Sequence, residues 1–159
     1  VRDSLTGVYN RMGINRFVVD MVNQANTNRR RLLFIFADMD GLKKINDEFG
    51  HEAGDQAICL AAEALQEAFC EKELIIRYGG DEFLVVSDAL NWEQAEEKKT
   101  QIAALLKQWQ RDEKLPYRLS MSVGYYQKEP DTEASMEQYI NWADERMYEM
   151  KCKNREQRK

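Results

Sequence analysis

Histidine is almost missing from this chain. His51 is the only one, so neither a histidine-dependent triad nor a histidine-rich metal site is expected. Cysteine is scarce as well. Cys59, Cys70 and Cys152 form no CxxC pair and are odd in number, which argues against a disulfide framework and against a zinc site. Cys59 falls within an apolar pattern of helical period and reads as a small core residue. Proline occurs only at Pro116 and Pro130, both between expected elements. There is no Pro/Gly-rich linker, internal repeat or low-complexity tract. Basic residues are not in excess: the net charge is −5. The footprint of a nucleic-acid-binding protein is absent, and no nucleic acid polymer is expected as a partner. Local basic spots suited to a small phosphate ligand are not excluded. No apolar run approaches the ~20 residues of a membrane span, so no membrane contact is expected of the domain itself. Neither a P-loop nor a GxGxxG motif is present.

What the chain does contain fits one globular domain over residues 1–159, with 43% hydrophobic and 32% charged residues. A chain of this length can bury roughly two-thirds of its unfolded surface. No signal peptide is visible, which makes the cytoplasm the expected compartment. Val1-Arg2-Asp3 reads as a cut inside a longer protein. An upstream sensory or dimerising region, or a membrane-anchored parent, is compatible with that reading.

The hydrophobic periodicity gives the element order α-β-α-α-β-β-α-β-α. Ile14, Phe17, Val18 and Met21 share one helical face, and Asn26-Thr27-Asn28 ends that helix. Leu32 to Ala37 is a continuous apolar run, as expected of a central strand covered on both faces. A short helix is expected from Leu42 to Phe49. After Gly50-His51 a longer one places Ile58, Ala61, Ala62, Leu65 and Phe69 on one stripe. A hairpin spans about Leu74 to Val86. Asn91 is suited to cap a long helix carrying Ala95, Ile102, Leu105, Leu106 and Trp109. From Leu119 to Tyr126 the pattern alternates, with Ser120, Ser122 and Gly124 forming a small-residue face. The last helix uses Met136, Tyr139, Ile140, Ala143 and Met147. A hairpin inside this mixed order argues for an α/β (α+β) sandwich with a mixed sheet.

Chemistry concentrates in acidic residues at expected strand ends. Gly79-Gly80-Asp81-Glu82 sits between the two apolar arms of the hairpin and reads as a Gly-Gly turn. A tip without side chains lets another molecule approach the backbone. Two adjacent acids there are either an ordinary solvated edge or a cation site. Asp38 and Asp40 stand two apart where the first strand ends. They read either as a polar strand end with a helix cap, or as metal ligands. An EF-hand is excluded, because the glycine comes fourth in the loop and Phe49 takes the twelfth position. If the strand end and the hairpin tip are neighbours, Asp38, Asp81 and Glu82 make an all-oxygen cluster. Such a cluster prefers a hard cation shared with phosphates. Phosphate would meet backbone amides at the start of the helix after Asp40, where Gly41 suits a close approach.

Taken together, these segments resemble the GGDEF family, the diguanylate cyclase domain. Asp3-Ser4-Leu5-Thr6-Gly7-Val8-Tyr9-Asn10-Arg11 is similar to the family's opening DxLTGLxNR turn. Asp38-Met39-Asp40, Lys43-Lys44-Ile45-Asn46-Asp47 and Gly50-His51-Glu52-Ala53-Gly54-Asp55 match its DxD, KxIND and GHxxGD segments. Gly79 to Phe83 is the signature itself. Ser120-Met121-Ser122-Val123-Gly124 matches the TxSxG strand, and Ala143 to Lys151 the terminal ADxxxYxxK helix. The likeness runs almost end to end and in order.

The resemblance implies a nucleotide-cyclase, palm-like fold: a mixed, mostly antiparallel central sheet of about five strands surrounded by helices, with the signature on a β-hairpin. It implies condensation of two GTP into cyclic di-GMP and two pyrophosphates, with one GTP on each domain of a transient homodimer. Each 3′-hydroxyl attacks the other α-phosphate. Asp38, Asp81 and the carbonyl of Met39 are then metal ligands. Glu82 is a metal ligand or the acceptor of the 3′-hydroxyl proton. Two Mg²⁺ per site are implied, with Mn²⁺ an alternative. Asn46 and Asp55 correspond to the guanine contacts. Gly41, Leu42, Lys43, Gly79, Gly80, Lys151 and Arg155 correspond to the residues around the triphosphate. A carboxylate at position 55 pairs with guanine N1–H and the 2-amino group, and adenine would leave it poorly paired. The family's Gly-Arg-Asn reads Asn154-Arg155-Glu156 here. The product-inhibition motif RxxD reads Cys70-Glu71-Lys72-Glu73, so no inhibition through that site is expected, because cysteine makes no charged fork to phosphate. A non-catalytic GTP-binding regulatory module is the alternative within the family. Another two-metal nucleotidyl transferase is the alternative outside it.

Overall fold

The computed structural model describes residues 1–69 and 72–157. A single π-type turn at Ile14–Val18 leads into α1 (Val19–Thr27), followed by β1 (Leu32–Met39), α2 (Leu42–Phe49) and α3 (His51–Ala68). Then come β2 (Leu74–Arg77), β3 (Glu82–Ser87), α4 (Trp92–Asp112), β4 (Met121–Lys128) and α5 (Met136–Gln157). This is the element order the periodicity predicts.

β1 is buried along its whole length, as a strand covered on both faces must be. Its odd-numbered residues Leu33, Ile35, Ala37 and Met39 join the core formed with α2, α3 and α4. Its even-numbered residues Leu32, Phe34 and Phe36 join the core formed with α1 and α5. The sheet order is β2-β3-β1-β4, with every strand pair antiparallel. Among the described residues there are four strands, not about five. The approach to β4 is irregular instead. Pro116 has no amide hydrogen to give, and the Leu119 amide is taken by the Gln110 side chain at 3.0 Å.

The only parallel contact among the described residues is a one-residue bridge from Tyr9 to Ile76. Through it the N-terminal turn covers the outer edge of β2. The Tyr9 amide donates to Ile75 O (3.1 Å), and the Arg77 amide donates to Tyr9 O (2.8 Å). Asn91 caps α4 as expected, in a reciprocal box with Gln94, each side chain accepting from the other's amide at 2.9 Å. Such a cap stabilises a helix by about 1 kcal/mol. The small-residue face of β4 has a steric purpose. A Cβ on Gly124 would run into the backbone of Arg146 and Met147, so α5 lies directly on the strand. Cys59 is not a core residue. It is half-buried on α3, and its thiol points to Leu5 O at 3.4 Å.

Candidate active site

Strand register brings the two acidic segments together. Asp38 is paired directly with Glu82, and the Met39 amide donates to Asp81 O at 3.0 Å. The hairpin tip therefore stands beside the end of β1. Pleating sends Asp38 and Asp40 to the α5 side of the sheet. There each meets a different partner on α5. Lys151 Nζ donates to Asp38 Oδ2 at 2.6 Å and reaches Met39 O at 3.5 Å. Asn154, one turn on, donates to Asp40 Oδ2 at 3.1 Å.

The two aspartates differ in what their oxygens receive. Asp40 accepts from Ser120 Oγ (2.7 Å) and Ser122 Oγ (2.6 Å) as well as Asn154. It does not cap α2. Asp38 Oδ1 is buried and accepts no hydrogen bond from any described residue. Burial, and after it the carboxylate of Asp81, push the Asp38 carboxyl up to about 7, while Lys151 pulls the other way. Glu82 is also raised, by burial first and then by Asp81 and Asp144. Asp144 on α5 is raised by its own burial and by Glu145. The end of the sheet thus holds more negative charge than its own cations neutralise.

The hairpin connection is four residues, Tyr78 to Asp81, rather than a two-residue Gly-Gly turn. Neither glycine adopts a positive φ. Their roles are spatial. A Cβ on Gly79 would collide with Glu82 Oε1, whereas one on Gly80 meets nothing within 4 Å. The tip is held from behind by Arg77, which donates to Gly80 O through Nη2 (2.8 Å) and Nε (3.3 Å). Arg77 Nη1 is in turn paired with Asp3 at 3.2 Å. Asp3 is partly desolvated, but hydrogen bonds from Thr6 and Arg77 outweigh this and hold its carboxyl below the usual range. Asp3 and Arg77 therefore set the height of the signature loop. The pairing itself has no local signal in the sequence, since its two charges are 74 residues apart.

Across the mouth of the site, α2 begins at Gly41, whose φ of +70° only glycine adopts without strain. The first amides of α2, at Leu42 and Lys43, have no acceptor within the helix and are available to an anion. Lys43 is exposed and Asn46 half-buried, while Asp55 is exposed on the first turns of α3. Asn46 packs directly on Gly54, the residue before Asp55, because any Cβ there would occupy the place of Asn46 Oδ1. Arg155 is exposed near the end of α5. In the degenerate inhibition motif, Cys70 and Glu71 lie outside the described residues. Glu73 Oε1 accepts from Ser87 Oγ at 3.3 Å.

A divalent cation fits the end of β1. Asp38 offers an orphaned buried oxygen, Asp81 crowds the same space with a second carboxylate, and the Met39 carbonyl lies alongside. Oxygen-only donors suit Mg²⁺ or Mn²⁺. Among the described residues no three acidic, histidine or cysteine side chains converge on one point. Two carboxylates and a carbonyl leave coordination positions for phosphate oxygens and water.

Comparison with known proteins agrees with this architecture. The family model for the diguanylate cyclase GGDEF domain matches residues 1–157. The chain is 34% identical to the diguanylate cyclase DgcP of Escherichia coli (strain K12), over 94% of this chain and 44% of that protein. It is 30% identical to the bifunctional diguanylate cyclase/cyclic di-GMP phosphodiesterase MucR of Pseudomonas aeruginosa, over 98% of this chain and 22% of that protein. It thus spans less than half the length of either relative. Among solved structures, the GGDEF domain of TpbB (YfiN) from Pseudomonas aeruginosa superposes with a TM-score of 0.78 at 27% identity, covering 96% of this chain and 90% of that one. The FimX GGDEF domain of the same species shares the fold, with a TM-score of 0.81 at 22% identity over 96% and 94% of the two chains. From its opening Asp3 turn to the α5 helix that meets Asp38 and Asp40, this chain is a member of the GGDEF, or diguanylate cyclase, domain family.

Proposed function

We propose that this domain is a diguanylate cyclase, condensing two GTP molecules into cyclic di-GMP and two pyrophosphates across a transient homodimer. The observation that carries the reading is Asp38 at the end of β1, buried with one oxygen orphaned among the described residues and crowded by the Asp81 carboxylate. Asn46 on α2 and Asp55 on α3 are the groups to receive guanine. A divalent cation bound at the end of β1 supplies charge neutralisation for the α-phosphate and the leaving pyrophosphate. The amides at the start of α2 orient the phosphates. Glu82, raised above its usual range, is suited to accept the proton of the attacking 3′-hydroxyl. Asp55 accepts from the N1–H and 2-amino group of guanine, which selects GTP over ATP. Lys151 is engaged with Asp38 before substrate arrives, and moves to the triphosphate as the acidic pair is neutralised. Each half-site holds one nucleotide, so turnover requires two domains face to face.

The second reading is a GTP-binding regulatory module. Similarity to two cyclic di-GMP phosphodiesterases favours it: NbdA, 35% identical over 54% of this chain, and PdeB, 34% identical over 77%. Incubating the purified domain at high concentration with GTP and Mg²⁺, and weighing the products, separates the readings. Cyclic di-GMP that disappears in Glu82→Gln, with folding intact, supports the cyclase. If no product forms even after fusion to a constitutive dimer, while GTP still binds, the regulatory reading stands. Full activity in Glu82→Gln would refute the role given to that residue.

A further inference from the structure

A cavity of about 670 Å³ lies between α4, the start of β4 and the end of α5, lined by neither Asp38 nor Asp81. Its volume falls within the roughly 300–1,000 Å³ of small-molecule sites. Its charge is unlike the rest of this acidic chain. Lys99, Lys107, Arg111 and Arg118 line it, and no aspartate or glutamate does. Lys99, Lys107 and Arg111 fall on one i, i+4 row of α4, with Ala103 between them, so their side chains stack along one face. Arg118 comes from the opposite wall, on the segment entering β4. Glu96 draws off Lys99 at 3.3 Å. Lys107, Arg111 and Arg118 have no carboxylate within ion-pair distance among the described residues. Cations are favoured at a helix C-terminus, which accounts for Arg111 in the last turn of α4. It does not account for Lys107, a turn earlier, or for Arg118, which is on no helix. The floor is apolar, with Ile102, Leu119, Met121 and Val123 below the cations, and Gln110, Ser120 and Asn154 add polar groups.

We propose that this cavity is a second ligand site, for a small phosphate-bearing organic anion of nucleotide size. Its phosphates are held by Lys107, Arg111 and Arg118, and its planar or apolar part rests on the Ile102–Leu119–Met121 floor. The site adjoins Asp40 through Ser120 and Asn154 but is lined by neither Asp38 nor Asp81, and needs no divalent cation. A flat basic surface would suit a polyanion. A concave one with an apolar base suits a single small molecule.

Titrating the domain with adenosine 5′-diphosphate in EDTA, followed by ¹⁵N NMR, tests this. Saturable shifts are expected at Ile102 to Arg111 and at Leu119 to Met121. Lys107→Ala and Arg118→Ala should each weaken binding about tenfold while leaving the circular dichroism spectrum unchanged. Asp55→Ala should leave this binding unaffected. Inorganic phosphate should bind more weakly than the nucleotide; equal affinity would overturn the organic part of the assignment. No saturable shift at millimolar nucleotide would overturn the site altogether. So would binding that survives both basic-residue substitutions and is lost in Asp55→Ala. These outcomes do not depend on whether the domain makes cyclic di-GMP.

Discussion

Asp38 and Asp40 are two residues apart, on the same side of the same strand end, and nearly as buried as each other (7% and 3% exposed). Their surroundings are opposite. Asp40 is surrounded by donors, from two serine hydroxyls and an asparagine amide. Asp38 has one ion-paired oxygen, one orphaned oxygen and a second carboxylate pressed against it. A fully paired buried carboxylate stabilises a fold. A half-paired one is a cost that persists where a ligand offsets it. The contrast marks Asp40 as a structural acid and Asp38 as the candidate for binding a ligand, without reference to any relative.

The largest effect should come from breaking the satisfied side. Asp40→Ala strands three donors and should lower unfolding free energy by about 2–3 kcal/mol in a denaturant titration. If Asp38→Asn proved equally destabilising at about pH 8 in EDTA, the distinction would fail, because that change removes a poorly tolerated charge and keeps an acceptor for Lys151.

Protonation sharpens the same comparison. Asp38 has an ordinary value of 3.8 and is raised to about 7 in the folded state, by burial foremost. Between those values the folded protein holds a proton that the unfolded chain has released. The contribution is stabilising in full below the lower value and is lost as pH rises through the upper one. Metal-free wild type should therefore lose stability relative to Asp38→Asn between about pH 4 and about pH 7. Added Mg²⁺ should restore more of it at the alkaline end. A pH-independent difference between the two proteins would contradict this picture.

The support behind the tip should matter less to folding than to turnover. Arg77→Lys loses the fork on Gly80 O and the geometry toward Asp3. Activity should fall about tenfold with a stability change within about 1 kcal/mol. The smallest effect on the fold is expected at Gly80. Gly80→Ala should unfold like wild type, since its Cβ has open space, whereas Gly79→Ala must displace the Glu82 carboxylate. Matched melting temperatures and matched activities for the two would show that the glycines are interchangeable, contrary to their geometry.

Much of this was legible beforehand. Element order followed from periodicity, and the bounds of α2 and the Asn91 cap from local chemistry that acts over a few residues. The candidate acids at 38, 81 and 82 were visible because strand-end carboxylates beside glycines are rare in an ordinary core. Less legible was anything set by contacts between distant segments. Periodicity marks four strands but starts the last at Leu119; a side chain of α4 takes that amide, and the strand begins at Met121. Cys59 was expected inside, because its helical stripe cannot reveal that the opening turn leaves it half-covered.

The sequence by itself determined which faces are apolar, where helices begin and stop, and which residue types stand at the strand ends. These depend on period and on neighbours a few positions away. Only the tertiary structure decided that Asp40 is satisfied and Asp38 is not, that Asp3 steadies Gly80 through Arg77, and that three cations without an ion-pair partner among the described residues share one cavity. The reason is physical. Burial and charge compensation depend on which groups lie within a few ångströms in space, and strand register with the closure of α5 onto Gly124 sets those neighbours.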